Sequence, residues 1–484
     1  MGPDYNNRFG AGVGSTVLHP LIAVAMVIAC VLILVLPRKY AMIPFMLFVI
    51  FAPMGQQIYV AGVHVYADRV LILFGFVRIG ITKLTSQEEI IPWKINSIDK
   101  LFVGCSIFGA LATVLLFLEM GAVVNQVGAL WDAIGGYFLL RFMIQDQEDI
   151  ARFIKVLAGS MLVLGATMLN ESLRAQNVFG LITGNWSVTI REGAIRAQGP
   201  FAGPIVAGTF GATALCFCVW LWKSKSSRTF AVIGIIGCTI VTFTSQSSTP
   251  LLTYLASLLG LSLWFLRKYM RVIRWGIVLM LISLHMVMKA PVWFIIDHVD
   301  LIAGNSGFHR AMLINDLIMR FSEWWLIGIK TTKIWGWDMW DQANQFVGVG
   351  ENGGLIALIF FIWMISKGFG WVGQARKVVE VDTKKEWELY LLGTVLFAYV
   401  VSFFGISFSR GVEVYPWHAL FAMIAVMTTP ILQGSAVAVP AEGAINAPFG
   451  LKYASPTIPN RGLASRFLMK QLRLLGTPGH KGNS

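Results

Sequence analysis

Two polar stretches concentrate the side chains of this chain that could do chemistry. The first, REGAIRAQGPFAGPIVAGTF over 191–210, sets Arg191 and Arg196 before a Gly/Pro-rich approach to an apolar run. The second spans about 291–352 and contains NSGFHRAMLINDLIMRFSEWWL (305–326) and WGWDMWDQANQFVGVGENGG (335–354). Arginine forks grip phosphate oxygens bidentately, so Arg191 and Arg196 suit a phosphorylated ligand. Gly199 and Gly203 would let a bulky head group approach the backbone. The same arginines would equally serve as interfacial anchors that snorkel to lipid head groups.

In the second stretch, His309 is a candidate ligand or base, or an ordinary surface histidine, and Arg310 follows it. Apolar residues at 312, 313, 317, 318 and 321 recur at helical spacing, which predicts an amphipathic helix near the membrane surface. Asp316 and Arg320 are four residues apart and read as a helix-stabilising pair. Trp335, Trp337 and Trp340 could form a stacking wall for sugar rings, or belong to an interfacial aromatic belt. Asp338, Asp341, Asn344 and Glu351 precede the Gly353-Gly354 pair. A carboxylate beside a sugar could orient or deprotonate an attacking hydroxyl; one that caps a helix would look the same.

The elements that must position these residues are membrane helices. The chain has 484 residues, 56% hydrophobic and only 13% charged, with a net charge of +13. Soluble domains carry about 25% charged residues, so an ordinary globular protein is excluded. Apolar windows approach the roughly 20 residues a helix needs to cross a bilayer, and the short alternating segments of a barrel are not visible. The fold class is an all-α polytopic membrane protein with about twelve or thirteen transmembrane helices and one long external loop holding short amphipathic helices. Candidate spans lie near 17–36, 40–53, 63–80, 100–119, 122–143, 150–170, 200–222, 229–244, 249–266, 271–288, 353–366, 388–404 and 413–430. The organisation follows: a bundle over 1–290, the loop over 291–352, further helices over 353–430, and a basic tail over 431–484.

Basic residues cluster at 223–228, 267–274, 367–385 and beyond Pro430. By the positive-inside rule those loops and the C-terminus face the cytoplasm. The 171–199 loop, the TSQSST turn (244–249), the long loop and the turn around Arg410 then face the opposite side. TSQSSTP reads as a polar turn between helices, with a Ser/Thr-lined substrate surface as the alternative. The tail segment SRFLMKQLRLLG (465–476) is a disordered stretch or an amphipathic helix on an anionic leaflet. Cys30, Cys105, Cys216, Cys218 and Cys238 sit in apolar runs without metal-site spacing. No cofactor or nucleic-acid partner is expected.

Taken together, the pattern resembles the O-antigen ligase and polymerase superfamily of bacterial envelope glycan enzymes. The resemblance rests on RAQGPF (196–201) with Pro204 and Gly208, a long external loop opening with Arg310, and DQANQFVGVGENGGLIALIFF (341–361). It covers roughly 40–430 through short motifs. It implies a GT-C-like fold in the bacterial inner membrane and metal-independent, inverting transfer from a glycan on undecaprenyl diphosphate to a glycan hydroxyl at the periplasmic face. The lipid-linked donor, the acceptor glycan and membrane lipids are the implied partners, with a chain-length regulator as a further candidate. Arg196 and Arg310 would hold the diphosphate. Arg310, Asp341 and His309 form the candidate catalytic set; Arg191, Arg196, Asn344, Trp337, Trp340 and Arg410 form the substrate-binding set. Two departures matter: Ala343 stands before Asn344 where ligases carry histidine, and Ser247-Ser248-Thr249-Pro250 lacks an arginine many members have. Asp341, three residues ahead of Asn344, is more polymerase-like. A ligase and a lipid-linked glycan transporter are the alternatives.

Overall fold

The computed structural model describes residues 9, 15–85, 95–298, 306–341, 343–408, 411 and 413–437. Arg410, the Gln342 position and the tail segment over 465–476 lie outside them. The chain runs through α1 (Pro20–Val35), α2 (Arg38–Phe51), a hairpin of β1 (Gln57–Val60) and β2 (Val63–Tyr66), α3 (Ala67–Thr85), α4 (Ser97–Phe117) and α5 (Met120–Leu130). A π-turn over Trp131–Gly135 leads into α6 (Gly136–Met143), α7 (Gln147–Arg174), the short α8 (Gly180–Thr183) and a second hairpin, β3 (Thr189–Arg191) and β4 (Ala194–Arg196). Then come α9 (Pro204–Trp220), α10 (Arg228–Thr244), α11 (Ser248–Ser262) and α12 (Met270–Val287). The loop carries α13 (Ile295–His298), α14 (Ser306–Met319) and α15 (Phe321–Trp324), before α16 (Gln345–Val378), α17 (Thr383–Ser402) and α18 (Val414–Val437).

Among the described residues, seven helices are long and apolar enough to cross a membrane. The protein is a multi-pass, all-helical membrane protein, with both hairpins antiparallel and two-stranded. Local chemistry explains the boundaries. Asn96 and Asp99 form a capping box at the start of α4, and Pro204 sits in the first turn of α9, where its missing N–H is not needed. The predicted span over 63–80 starts later, at Ala67. Residues 57–66 instead close a hairpin through Ala61 and Gly62, both at positive φ, as a two-residue hairpin turn requires.

The centre of the bundle is α9, whose Ala207, Gly208, Gly211, Ala212 and Ala214 are buried. Small residues let helices approach closely where lipid supplies no hydrophobic drive. A Cβ on Gly211 would lie 2.8 Å from Val241 of α10. At the opposite extreme, α12 has no buried residue; its apolar side chains face outward all round.

One end of the bundle gathers basic loops. Arg267 and Arg376 both pair with Glu386, at 3.0 and 3.1 Å, and Lys268 pairs with Glu380 at 2.9 Å. Lys223 Nζ donates to the Thr383 carbonyl at 3.5 Å, so the loops over 223–228, 267–274 and 376–385 share that end, and α9, α10, α11 and α17 carry the chain from it to the candidate site.

The long loop has a core of its own: Leu313, Leu317, Trp324, Ile329, Trp335, Met339 and Val347 pack together. Of the apolar residues predicted for one face of α14, Leu313 and Leu317 turn into this core, while Ile318 stays exposed. The core is bolted to a break in α16, where Gly354 adopts φ 68° and ψ −172°. Ile329 N–H donates to the Glu351 carbonyl and Leu355 N–H to the Trp325 carbonyl, each at 2.8 Å. A Cβ on Gly354 would come within 2.7 Å of the Leu326 carbonyl oxygen, so the second glycine of the Gly-Gly pair is a docking requirement.

Candidate functional site

Arg196 ends the β3–β4 hairpin, which turns through Glu192 and Gly193, both at positive φ. The segment after it is fixed from three sides. Ala197 N–H donates to the Thr244 carbonyl at 3.1 Å. The Glu171 carboxylate accepts the Gln198 and Gly199 N–H groups at 3.1 and 2.9 Å. Asn177 Nδ2 donates to the Gly199 carbonyl at 2.9 Å. Gly199, at φ 58°, takes the left-handed backbone this wrap needs.

The guanidinium of Arg196 is 9% exposed and donates through Nη2 to the hydroxyl of Ser247; Ser247 in turn donates to the Ser245 carbonyl at 2.9 Å. Arg196 Nε is buried with no hydrogen-bond partner among the described residues. Burial first, then the charges of Arg191 and Arg310, push the Arg196 guanidinium below its ordinary value. The three arginines therefore share one electrostatic neighbourhood although Arg310 belongs to the distant α14. Arg310 is 5% exposed, whereas Arg191 lies on the exposed strand β3. Gathered positive charge in a shielded place suits a polyanion.

TSQSSTP, read from sequence as a plain turn, is part of this site. Besides Ser247, Thr249 Oγ1 donates to the Gly405 carbonyl at 3.2 Å, which ties the start of α11 to the turn after α17. That turn is tied in its own right to α16: Gln345 N–H donates to the Phe403 carbonyl at 2.8 Å, and Gln345 Oε1 accepts Phe408 N–H. Asn344, fully buried, caps α16 by accepting the Phe346 and Val347 N–H groups at 2.9 and 3.2 Å. Its Nδ2 has no partner among the described residues.

His309 is half-buried, and its Nε2 lies 3.0 Å from the backbone carbonyl oxygen of Asp341; the Asp341 residue itself is exposed. The two candidate bases are thus neighbours. The three tryptophans part company. Trp335 belongs to the loop core, donating from Nε1 to Glu323 at 2.9 Å, while Trp337 and Trp340 are 92% and 61% exposed. Asp316 and Arg320 form only a loose pair at 4.0 Å.

Sequence reasoning missed Glu413, which stands at the start of α18 and is 4% exposed. Burial raises its carboxyl to about 7, and its Oε2 has no partner among the described residues. The available signal was an acid beside Gly411 at the mouth of an apolar run. No protein-family model matches this chain, and no curated protein is significantly similar to it.

Proposed function

We propose that this protein is a glycosyltransferase that extends glycans carried on undecaprenyl diphosphate. The observation that carries the reading is that two buried arginines from distant segments, Arg196 and Arg310, lie close enough for the charge of Arg310, with that of the exposed Arg191, to bear on the Arg196 guanidinium. The departing diphosphate gains charge as its bond to the anomeric carbon breaks, and fixed guanidinium groups stabilise that charge without a metal ion. The acceptor hydroxyl oxygen forms the new bond to that carbon from the opposite face, its proton passing to His309 or the Asp341 carboxylate. Undecaprenyl diphosphate leaves. Asn344 Nδ2, Trp337, Trp340 and Arg410 would complete the sugar and diphosphate contacts.

The clustered basic loops support an orientation with that end in the cytoplasm and the arginines on the periplasmic side of the inner membrane. Among the described residues, with α5 and α6 taken as one pass and the short loop helices omitted, α1–α4, α5/α6, α7, α9–α12 and α16–α18 supply thirteen passes. In that orientation an odd count would set the start of α1 at the arginine end and the end of α18 in the cytoplasm.

The test is synthesis by purified protein in detergent with EDTA, from a short glycan on undecaprenyl diphosphate, resolved on a gel beside the Arg310→Ala variant. A ladder of longer lipid-linked glycans, lost in the variant, supports the proposal. Product that forms only when a separate glycolipid acceptor is supplied would make it a ligase; no product with either acceptor sinks the reading.

A further inference from the structure

A cavity of about 450 Å³, lined in part by Met54, opens next to the segment that follows Arg196, whose Pro200 carbonyl accepts the Met54 N–H. It falls in the range of about 300–1,000 Å³ typical of small-molecule sites. The end of α2, the loop before β1, the start of α3, the α5 π-turn and the start of α18 enclose it. Two walls differ in character. Phe48, Val49, Ala52 and Val414 make one apolar; Gln56, Asp68, Asp132 and Tyr415 give the other its polar groups.

The polar wall is built. Asp132 sits in the π-turn over Trp131–Gly135, a helix irregularity found often at functional sites. Arg69 grips it bidentately, Nε and Nη2 each at 2.7 Å from a carboxylate oxygen. Asp68 accepts the Tyr415 hydroxyl at 2.7 Å and its neighbour's N–H at 3.1 Å. Gln56, 8% exposed, is held by the His19 N–H at 2.8 Å. These bonds fix the orientation of both carboxylates, and Asp68, which accepts the Tyr415 hydroxyl and the Arg69 N–H, keeps some of the about four acceptor positions a carboxylate offers.

We infer that this cavity is the acceptor subsite and takes a neutral, hydroxyl-rich saccharide. Two carboxylates against one guanidinium leave the wall net negative, which repels phosphate and separates this site from the arginine cluster. Hydroxyl donors suit the carboxylates, and the apolar wall suits the C–H face of a sugar ring. Position supports the pairing. Met54 lines the cavity and donates its N–H to the Pro200 carbonyl at 3.4 Å, four residues from Arg196. Gly411 lines it too, with Glu413 packed directly behind. A saccharide held here would present a hydroxyl towards the carbon whose diphosphate the arginines hold.

The inference rests on the glycosyltransferase reading, and its test is separable from that one. The probe is the phosphate-free, radiolabelled oligosaccharide released by mild acid from the source cell's lipid-linked glycans. Binding is measured on the full-length protein in detergent and on two variants that fill the cavity from different helices, Ala52→Phe and Ala129→Phe, with undecaprenyl phosphate as the second probe. Whichever variants elute and melt like the parent are scored. We expect oligosaccharide binding to weaken at least about tenfold with undecaprenyl phosphate binding unchanged. Unchanged oligosaccharide binding overturns the inference, as does loss of undecaprenyl phosphate binding alone, which would make the cavity a lipid site. Parent protein that binds no oligosaccharide overturns it as well. A filled variant that still builds the ladder at the parent rate removes the acceptor subsite and leaves the glycosyltransferase reading standing. Cavity-dependent oligosaccharide binding without any ladder does the reverse.

Discussion

Arg196 Nη2 donates to the Ser247 hydroxyl, joining the end of a surface hairpin to the turn between α10 and α11. The hydroxyl is itself anchored on the Ser245 carbonyl, so it cannot follow the arginine if the hairpin moves. A buried guanidinium aimed by a fixed hydroxyl is preorganised for an anion.

Ser247→Ala removes that aim without touching charge. A hydrogen bond to a charged group contributes about 1.5–3 kcal/mol, or roughly ten- to hundredfold in rate. The variant should lose up to that much in kcat/KM for glycan transfer, and its thermal midpoint should fall as well because the buried Arg196 Nη2 loses its acceptor. A parent-like rate would show that Arg196 needs no such support.

Glu413 gives stability a pH dependence of defined sign. Its carboxyl is raised by burial from 4.5 to about 7, so the folded state holds a proton that the unfolded chain has released. Stability therefore falls as pH rises from about 4.5 to about 7 and is level above. The full span is on the order of 3 kcal/mol. Melting in detergent from pH 5 to 8 should show this slope, and Glu413→Gln should flatten it. A parent profile already flat over that range contradicts the assignment.

Neighbouring tryptophans should respond in opposite ways. Trp335→Ala opens the loop core, costing about 3–5 kcal/mol. Trp337→Ala, at a fully solvated position, should change stability by no more than about 0.5 kcal/mol yet slow transfer if a sugar stacks there. Thermal midpoints and ladder rates of the two variants separate the roles.

How much of this was legible in the sequence varied with how local the cause was. Hydropathy alone marks a multi-pass helical protein, because crossing a bilayer demands long apolar runs. Arg196 and Arg310 stand out because charge beside an apolar span is costly to place idly. The spacing of Leu313 and Leu317 shows that α14 has an apolar face, but not whether lipid or the loop's own core covers it. Trp335 and Trp337 are two residues apart and alike in sequence; only tertiary packing divides them. Ser247 had no signature at all, since a serine in a turn looks the same whether or not an arginine reaches it. The cavity was equally silent: Asp68 and Asp132 read as stray charges until α3 and the π-turn face each other.

Gly328 and Gly354 should tolerate no side chain. Gly328, at φ 87°, faces the Glu351 carbonyl, and Gly354, at φ 68°, faces that of Leu326. Left-handed strain costs about 1–3 kcal/mol per residue, and the clash adds to it. Alanine at either position should lower the midpoint and expose the 325–329 segment to protease; protection equal to the parent's would mean the loop docks elsewhere.

The outward-facing helix α12 has a different standing from its neighbours. With none of its residues buried, it acts as a tether that returns the chain from the basic end to the loop carrying Arg310. Its side chains are interchangeable among apolar types, but its 18 residues are not: shortening it by a turn would pull α13 and α14 about 5 Å towards the membrane. What the fold reads in this stretch is a length.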